Sequence, residues 1–356
     1  MMENKEGNVI VEPGKSRSSN LELYRIICMF MIVAHHYVVN SGIVDVLYQE
    51  PLLIKSIYYF VFGMWGKVGI NCFVLITGYF MCIKRITLKK FLKLLSEIWF
   101  YNVIIFIIFF IAGKEIVTPL RLVKLIIPFW GIDTGFVGCF ILFYLLIPFL
   151  SVIVHNITQQ QHLWLVLGCL TVFSILGTIP SFDISFNYVG WFCILFFVSS
   201  YIRLHPIPLF DNLVLWRCLG LSSIFLAIIS VVVCIWIHVH FSIDYRLAYW
   251  FVADSNKLMA VVVSITTFLW FKNVKIRDSV FVNMIAASTF GVLLIHANSD
   301  AMRQWLWRDL LDVSSQYYTP MTHIIIHSLV CVLCVFSICI VIDIIRKRII
   351  EDKIFK

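Results

Sequence analysis

The sequence predicts an all-α, polytopic membrane protein with about ten transmembrane helices and with both termini in the cytoplasm. Three observations support this fold class. Of the 356 residues, 61% are hydrophobic and only 13% are charged, a balance that soluble domains do not show. The apolar residues form runs long enough to cross a bilayer as helices. The basic residues gather in alternate connections between these runs, as membrane topology requires.

Composition also excludes several kinds of ligand. The net charge is +8, but the basic residues are scattered between apolar segments, which does not indicate a nucleic-acid partner. The 11 cysteines have no spacing typical of a metal site or of a disulfide framework. Most lie within apolar runs, where cysteine is a small packing residue. We therefore expect a lipid bilayer around the chain, no nucleic acid and no metal.

In chain order, residues 1–20 are polar and are interpreted as a disordered cytoplasmic tail. The apolar run that follows is too long for a signal-peptide core and lacks a small-residue cleavage site, so it should stay as an anchor. Residues 21–346 are the predicted membrane domain, and residues 347–356 are a second cytoplasmic tail. The predicted spans lie at about 21–40, 57–82, 91–112, 136–154, 162–178, 187–203, 216–238, 256–271, 282–298 and 322–345.

Loop charge sets the predicted orientation. With the N-terminus in the cytoplasm, the inner loops and tails hold most of the 28 lysines and arginines, in agreement with the positive-inside rule. An even number of spans then returns the C-terminus to the cytoplasm. The longest outer segment, about 113–135, places Arg121 and Lys124 among apolar residues. It fits an amphipathic helix in the interface, a re-entrant segment or a plain loop.

The first span carries ionisable side chains that predict a polar cavity. Arg25 and His36 are eleven residues apart, which is about 16 Å along a helix and close to three turns. Both therefore project from nearly the same side, in opposite halves of the apolar core, and His35 lies beside His36. Such a pair most often faces a polar cavity between helices. The alternative for Arg25 alone is contact with the cytoplasmic headgroups.

The second span combines small and polar residues. Gly66, Gly69 and Gly78 lack side chains where another backbone or a narrow ligand can approach, although glycine in membrane helices also serves packing alone. Lys67 and Asn71 add polar groups to the outer half of the same span. This span is therefore a candidate wall of the cavity.

The ninth span runs in the same direction as the first, so His296 should lie at a depth similar to that of His36. A structural hydrogen bond is the alternative role for His296. Asn298 and Asp300 follow it towards the outside. We expect an outward-opening pocket lined by His35, Lys67, Asn71, His296, Asn298 and Asp300.

A dense basic cluster follows the second span and includes Lys84, Arg85, Lys89 and Lys90. Such a cluster fixes topology and contacts anionic lipids. It also fits a docking site for a phosphate-rich cytosolic donor, because lysine and arginine pair well with phosphate oxygens.

Together these features resemble the acyltransferase-3 family of integral membrane acyltransferases, over nearly the whole chain. The resemblance implies a ten-helix protein of the bacterial cytoplasmic membrane. It also implies a cytosolic acyl-CoA donor, usually acetyl-CoA, and a hydroxyl acceptor on a surface polysaccharide or a lipid-linked glycan. Thr77 departs mildly, because serine is usual there, and the basic pair after the second span is Lys84-Arg85. The matching stretches are Arg25 with His36, Gly66–Tyr79, Phe140–Leu150, Trp191–Leu195 and Thr289–His296.

We hypothesise a role for each charged group in such a reaction. Lys84, Arg85, Lys89 and Lys90 would dock coenzyme A at the inner face. Arg25 would hold polar parts of the acyl-bearing arm or stabilise negative charge. His36 would act at the thioester, either as the general base for the sugar hydroxyl or as a transient acyl carrier. A neutral imidazole, with a pKa near 6.5, suits the first role at cellular pH.

A secondary transporter or a flippase for a lipid-linked glycan is the alternative, since such proteins also have about ten to twelve spans and buried charges. The sequence does not show two corresponding halves with paired broken helices. Acyl transfer distinguishes the two classes, because a transporter moves its substrate unmodified.

Overall fold

The computed structural model describes residues 18–127, 135–182, 184–242 and 248–355. Throughout these ranges the chain forms helices and connecting turns without a β-strand, so the predicted all-α fold class is confirmed. Residues 1–17 of the predicted N-terminal tail lie outside the described ranges, as do residues 128–134 of the long outer segment.

Sixteen α-helices are numbered here in chain order. Three of them, α8, α14 and α15, continue into π-helical turns at Thr171–Leu176, Trp305–Leu310 and Lys347–Glu351. The helices are α1 Ser19–Val39, α2 Ile43–Leu47, α3 Ile54–Gly63, α4 Gly66–Met81, α5 Leu88–Ile111, α6 Pro119–Ile126, α7 Phe136–Asn156, α8 Gln159–Leu170, α9 Tyr188–Leu204, α10 Leu213–Phe241, α11 Leu258–Asn273, α12 Val280–Ala287, α13 Thr289–His296, α14 Asp300–Gln304, α15 Met321–Arg346 and α16 Asp352–Ile354.

Within the described ranges, six segments are long and apolar enough to cross a membrane, and a seventh exists if two helical stretches bent by 94° count as one span. These two stretches are Val280–His296 and Asp300–Tyr318. Each predicted span falls on a helical region, but α9 and α11 are shorter apolar helices. The polytopic membrane character is therefore confirmed, while the count of ten and the cytoplasmic termini stay predictions.

Helix α1 lies at the centre of the bundle and packs against α3, α4, α11, α12, α13 and α15. Close approach to α4 depends on Gly69, because a Cβ there would lie 2.8 Å from the Cys28 carbonyl oxygen. The buried hydroxyl of Tyr24 is satisfied by Thr267 Oγ1 of α11 at 2.6 Å. The first span is therefore surrounded by protein over most of its length, as its ionisable residues require.

The bundle has two ends, which we name by their residues. The histidine end carries His36 and His296. The basic end carries Ser19 and Lys84. At the basic end the start of α1 is tied to its neighbours, since Ser19 Oγ bonds to Asn283 Oδ1 at 3.0 Å and the Asn20 amide donates to two carbonyl groups at the end of α11.

Helices α12 and α13 are separated by a break at Ser288. A break leaves helical carbonyl groups without their usual partners, and Lys347 compensates by donating to the Ala287 carbonyl at 2.5 Å and to Ser288 Oγ at 3.1 Å. Helix α13 therefore starts at a fixed point and ends at His296, and this sets the depth of that imidazole.

Two peripheral segments differ from simple loops. Residues 119–126 form the exposed helix α6, which fits the amphipathic-helix interpretation of the outer segment. The predicted tail at 347–356 begins as a continuation of α15, and its Glu351 is 3% exposed. Because Glu351 pairs with Lys93 and Arg346, this tail is held against α5.

Candidate functional site

A cavity of about 860 Å³ opens at the histidine end, between α1, α4, α5, α6, α7, α13 and α14. Its wall combines polar side chains from helices that are far apart in sequence. Four residues of the predicted pocket line it, namely His35, Lys67, Asn298 and Asp300, and His36 lies on the same wall. Further polar lining residues are Asn102, Lys114, Glu115, Arg121, Lys124, Tyr188, Ser299, Arg303 and Gln304.

His36 is hydrogen bonded to His296, with its Nδ1 2.9 Å from His296 Nε2. His296 Nδ1 lies 2.6 Å from the Val292 carbonyl oxygen. A carbonyl only accepts, so His296 Nδ1 carries the proton and, in the neutral ring, Nε2 is the acceptor. His36 Nδ1–H must then donate to His296. This leaves His36 Nε2 as the unprotonated nitrogen, on a residue that lines the cavity.

The contact also confirms that His36 and His296 lie at the same depth. His296 itself is fully buried and lies behind His36, outside the described cavity lining. The Trp307 ring lies nearly perpendicular to the His296 ring, with ring centroids 6.3 Å apart. The arrangement gives one imidazole access to the cavity and encloses the other.

His35 is fixed by two contacts with the start of the second span. Its Nδ1 donates to the Gly63 carbonyl at 2.6 Å, and its ring lies directly over Gly66. A Cβ on Gly66 would lie 2.3 Å from His35 Cγ, so only glycine fits there. The glycine predicted to allow close approach therefore makes room for a histidine.

Lys67 extends into the cavity from α4. Its ammonium group donates to the Tyr188 hydroxyl and lies 3.6 Å from an Asp254 carboxylate oxygen. These two partners fix the Lys67 ammonium group on the wall that carries His35 and His36. From there, Lys67 can pair with a negatively charged group inside the cavity.

Asn298 and Asp300 form part of the cavity wall beyond the end of α13. The Asn298 amide donates to Asn102 Oδ1 at 3.1 Å and to the Leu294 carbonyl at 3.0 Å. Asp300 forms an ion pair with Arg303. This wall therefore offers neutral hydrogen-bonding groups as well as a charged pair.

Asn71 is fully buried and lies outside the described cavity lining. Its side-chain oxygen accepts from Trp191 Nε1 at 2.9 Å, and its amide donates to the Ser255 carbonyl at 2.6 Å. In this position it joins α4 to α9 and to the turn before α11.

Arg25 lies against residues of α1 and α4. Its guanidinium lies 5.5 Å from the centroid of the Phe73 ring and 3.6 Å from Glu22, and its Nε is buried without a hydrogen-bond partner in the described chain. Phe73 packs on Phe136, which lines the cavity, and also on Phe290. Arg25 is not among the described residues that line the histidine-end cavity, so a cavity shared by Arg25 and His36 stays a prediction.

A second cavity, of about 540 Å³, lies at the basic end. Lys84 and Arg85 line it together with Ser151, His155 and Asn156 of α7. The other two predicted docking residues, Lys89 and Lys90, are exposed on the first turn of α5. The basic cluster thus borders a concave surface at the end of the bundle opposite to His36.

A buried ionic network at the basic end was missed from the sequence. Arg346 bonds Asp343 at 2.9 Å, Glu351 at 2.9 Å and Glu97 at 3.2 Å, and the Tyr101 hydroxyl donates to Asp343 at 2.8 Å. Glu97 and Asp343 are isolated acids within apolar runs, which is a signal of buried pairing. Because the partners lie far apart in the sequence, the sequence does not show which of these groups form ion pairs with each other.

Of the described residues, no group of three or more His, Cys, Asp or Glu side chains is arranged to hold a metal ion.

A family model described as an acyltransferase domain, that of acyltransferase-3, matches residues 18–346. The chain belongs to the acyltransferase-3 family. No curated protein and no solved structure matches the chain. Because the chain belongs to this family and has helices long and apolar enough to cross a membrane, the protein is a membrane acyltransferase. Acyl transfer needs a base or a nucleophile at an accessible cavity.

Proposed function

We propose that this membrane acyltransferase moves an acyl group, preferably acetyl, from cytosolic acyl-CoA to a hydroxyl of a surface polysaccharide or lipid-linked glycan in the bacterial cytoplasmic membrane. The observation that carries the proposal is the hydrogen-bond chain from His36 Nδ1 through His296 to the Val292 carbonyl. It leaves an imidazole nitrogen with a lone pair on the wall of the histidine-end cavity.

In the proposed reaction, His36 Nε2 accepts the proton of the acceptor hydroxyl as its oxygen attacks the thioester carbonyl. The C–O bond of the ester forms, the C–S bond breaks, and the proton passes from His36 to the departing thiolate. His36 is transiently an imidazolium, and its Nδ1–H remains bonded to the neutral His296. That bond stabilises the cation and keeps the ring in place, as the orienting partner does in other base-assisted acyl transfers.

The negative charge that develops on the thioester oxygen needs hydrogen-bond donors in place before reaction. Lys67 lines the same cavity and is held by Tyr188 and Asp254. We propose that the Lys67 ammonium group donates a hydrogen bond to this oxygen and stabilises its charge. The amide of Asn298, which is fixed by Asn102 and Leu294, is assigned to the acceptor hydroxyls.

The donor is proposed to enter from the basic end. The exposed Lys84 and Arg85 border a cavity, and their charges suit the phosphates of coenzyme A. Arg25 lies between this end and the histidine cavity and offers a buried Nε donor without a protein partner among the described residues. Phe73 packs on Arg25 and on Phe136 of the cavity lining, and we propose that these two rings move apart as the acyl group reaches His36.

Labelled acyl transfer by the full-length protein in lipid nanodiscs tests this function. The protein is mixed with an envelope glycan extract and with acetyl-CoA labelled in the acetyl group, and alkali-labile label on glycan is counted. We expect ester-linked label with the wild type and with the control His240→Asn, since His240 is an exposed histidine whose Nδ1 bonds to the Trp236 carbonyl of its own helix. His36→Asn should give at least about 100-fold less.

The transporter alternative predicts a different result. The wild type would then leave the glycan unlabelled with acetyl-CoA and with longer acyl-CoA donors. In sealed vesicles it would accumulate unmodified glycan. That pair of results would overturn the proposed acyl transfer.

A further inference from the structure

The lining of the histidine-end cavity is rich in cations. Its described residues include five basic side chains but only two acidic ones, Glu115 and Asp300. The basic side chains come from α4, from the segment before α6, from α6 and from α14, and they are Lys67, Lys114, Arg121, Lys124 and Arg303.

This concentration runs against the trend expected for membrane topology. If the histidine end faces outwards, as the proposed function requires, lysine and arginine should be sparse there, because they favour the cytoplasmic side. The presence of several cations around one cavity at the outer end therefore indicates a role in that cavity, because membrane topology does not explain it. Clefts lined by one sign of charge attract ligands of the opposite sign.

Ion pairing within the protein offsets part of the positive charge of the cavity, because Arg121 bonds Glu115 at 2.8 Å within the lining; the other pairs place their carboxylates differently. The partners of Lys67 and Lys114 are Asp254 and Asp309, and neither carboxylate belongs to the described lining. Asp300 is 86% exposed at its side chain, against 37% for its partner Arg303. In these pairs the cation lies closer to the cavity and the carboxylate closer to solvent. Exposed pairs of this kind are weak, so a ligand anion competes with them easily.

We propose that the acceptor of this acyltransferase is an anionic glycan, whose carboxylate or phosphate groups contact the basic lining while one of its hydroxyls meets His36. The inference rests on the proposed function and adds the class of acceptor. Arg303 suits planar bidentate contact with carboxylate or phosphate, and Lys67 and Lys124 add point charges, whereas Arg121 already makes two hydrogen bonds to Glu115. A neutral glycan needs only hydrogen-bonding groups such as Asn102 and Asn298, and gains nothing from this field.

Fractionation of envelope glycans tests the class of acceptor. Cells with and without the full-length protein supply glycans, which anion exchange separates into anionic and neutral pools, and NMR measures ester-linked acyl groups in each. We expect the protein-dependent ester in the anionic pool. Phosphate analysis of that pool distinguishes phosphate-bearing from carboxylate-bearing polymers. Protein-dependent ester in the neutral pool overturns the inference and leaves the proposed function intact, whereas no such ester in either pool overturns both.

Charge variants test whether the basic lining of the cavity recognises the anionic groups of the glycan. The anionic glycan, freed of its esters, serves as the probe acceptor for protein in nanodiscs. Arg303→Gln with Lys124→Gln should raise the KM for this glycan about fivefold or more, with kcat nearly unchanged. Lys275→Gln removes a charge from an exposed loop away from the cavity and should leave KM as in the wild type. An unchanged KM in the double variant overturns the assignment.

Discussion

The Asp343 carboxylate packs directly against Gly291, where a Cβ would lie 2.5 Å from the carboxylate carbon. Gly291 belongs to α13, the short helix that ends at His296, and Asp343 is also bonded to Arg346 and Tyr101. The buried ionic network therefore does more than join α5 to α15. It fixes the start of the helix that places the second imidazole.

Replacing Arg346 by Met should strongly destabilise the protein. The change leaves the carboxylates of Glu97, Asp343 and Glu351 buried with much of their compensation lost, and we expect a loss of about 3 kcal/mol or more in the free energy of unfolding. Arg348→Met is the matched control on the following turn, because Arg348 is exposed and should change stability by about 0.5 kcal/mol at most. Unfolding in detergent measures both. Equal stability of the two variants would contradict a structural role for the network.

The extent of this network shows where sequence reasoning stops. Apolar runs located the helical regions, because burial in lipid or in protein requires them. The ion pairs of the network could not be derived from the sequence, because Glu97 and Arg346 come into contact only in the folded bundle. The same limit applies to Asn71, a polar residue on a predicted cavity helix that instead joins α4 to α9.

Replacing Gly66 by Ala tests the contact that fixes His35. The added methyl group would lie within 2.3 Å of the His35 ring, close to the backbone, so α1 and α4 must move apart. We expect a loss of about 1–3 kcal/mol in stability together with reduced acyl transfer. Gly168→Ala on α8 is the control, because nothing lies within 4 Å of its Cβ position. A Gly66→Ala protein as stable and active as Gly168→Ala would show that the close contact is not needed.

His296 should act as a positioning residue for His36. In His296→Leu the His36 Nδ1–H loses its acceptor, at a cost of about 1–3 kcal/mol, so kcat should fall about 10–100-fold. His296→Gln keeps a carbonyl oxygen of similar reach and should recover much of this loss, with KM for both substrates near the wild-type value. A kcat for the Leu variant equal to that of the Gln variant would mean that the hydrogen bond contributes nothing.

Basic residues at the opposite end should control affinity for the donor. With Lys84→Gln and Arg85→Gln combined, two charges facing the donor phosphates are lost, and the KM for acetyl-CoA should rise about tenfold at low salt. The difference from wild type should shrink as salt increases, because screening weakens exposed charges. Lys275→Gln with Arg277→Gln is the charge-matched control. The same KM in both double variants would place the donor elsewhere.

The candidate site was predicted in part. The depth shared by His36 and His296 followed from helix direction and residue counting, and the 2.9 Å contact confirms it. The absence of Arg25 from the described cavity lining did not follow from the sequence, because helix spacing places two residues on one face without showing which side chains of other helices pack against each. Here the Phe73 ring of the neighbouring helix α4 packs 5.5 Å from the Arg25 guanidinium.

Acyl-transfer kinetics of His36→Ala test the central claim most directly. General bases contribute about 10²–10⁴-fold to rate, so the variant, folded and inserted in nanodiscs, should lose at least about 100-fold in kcat. Added imidazole, which can enter the space beside His296, should restore part of the rate. A folded His36→Ala protein that transfers acyl groups at the wild-type rate would contradict the account.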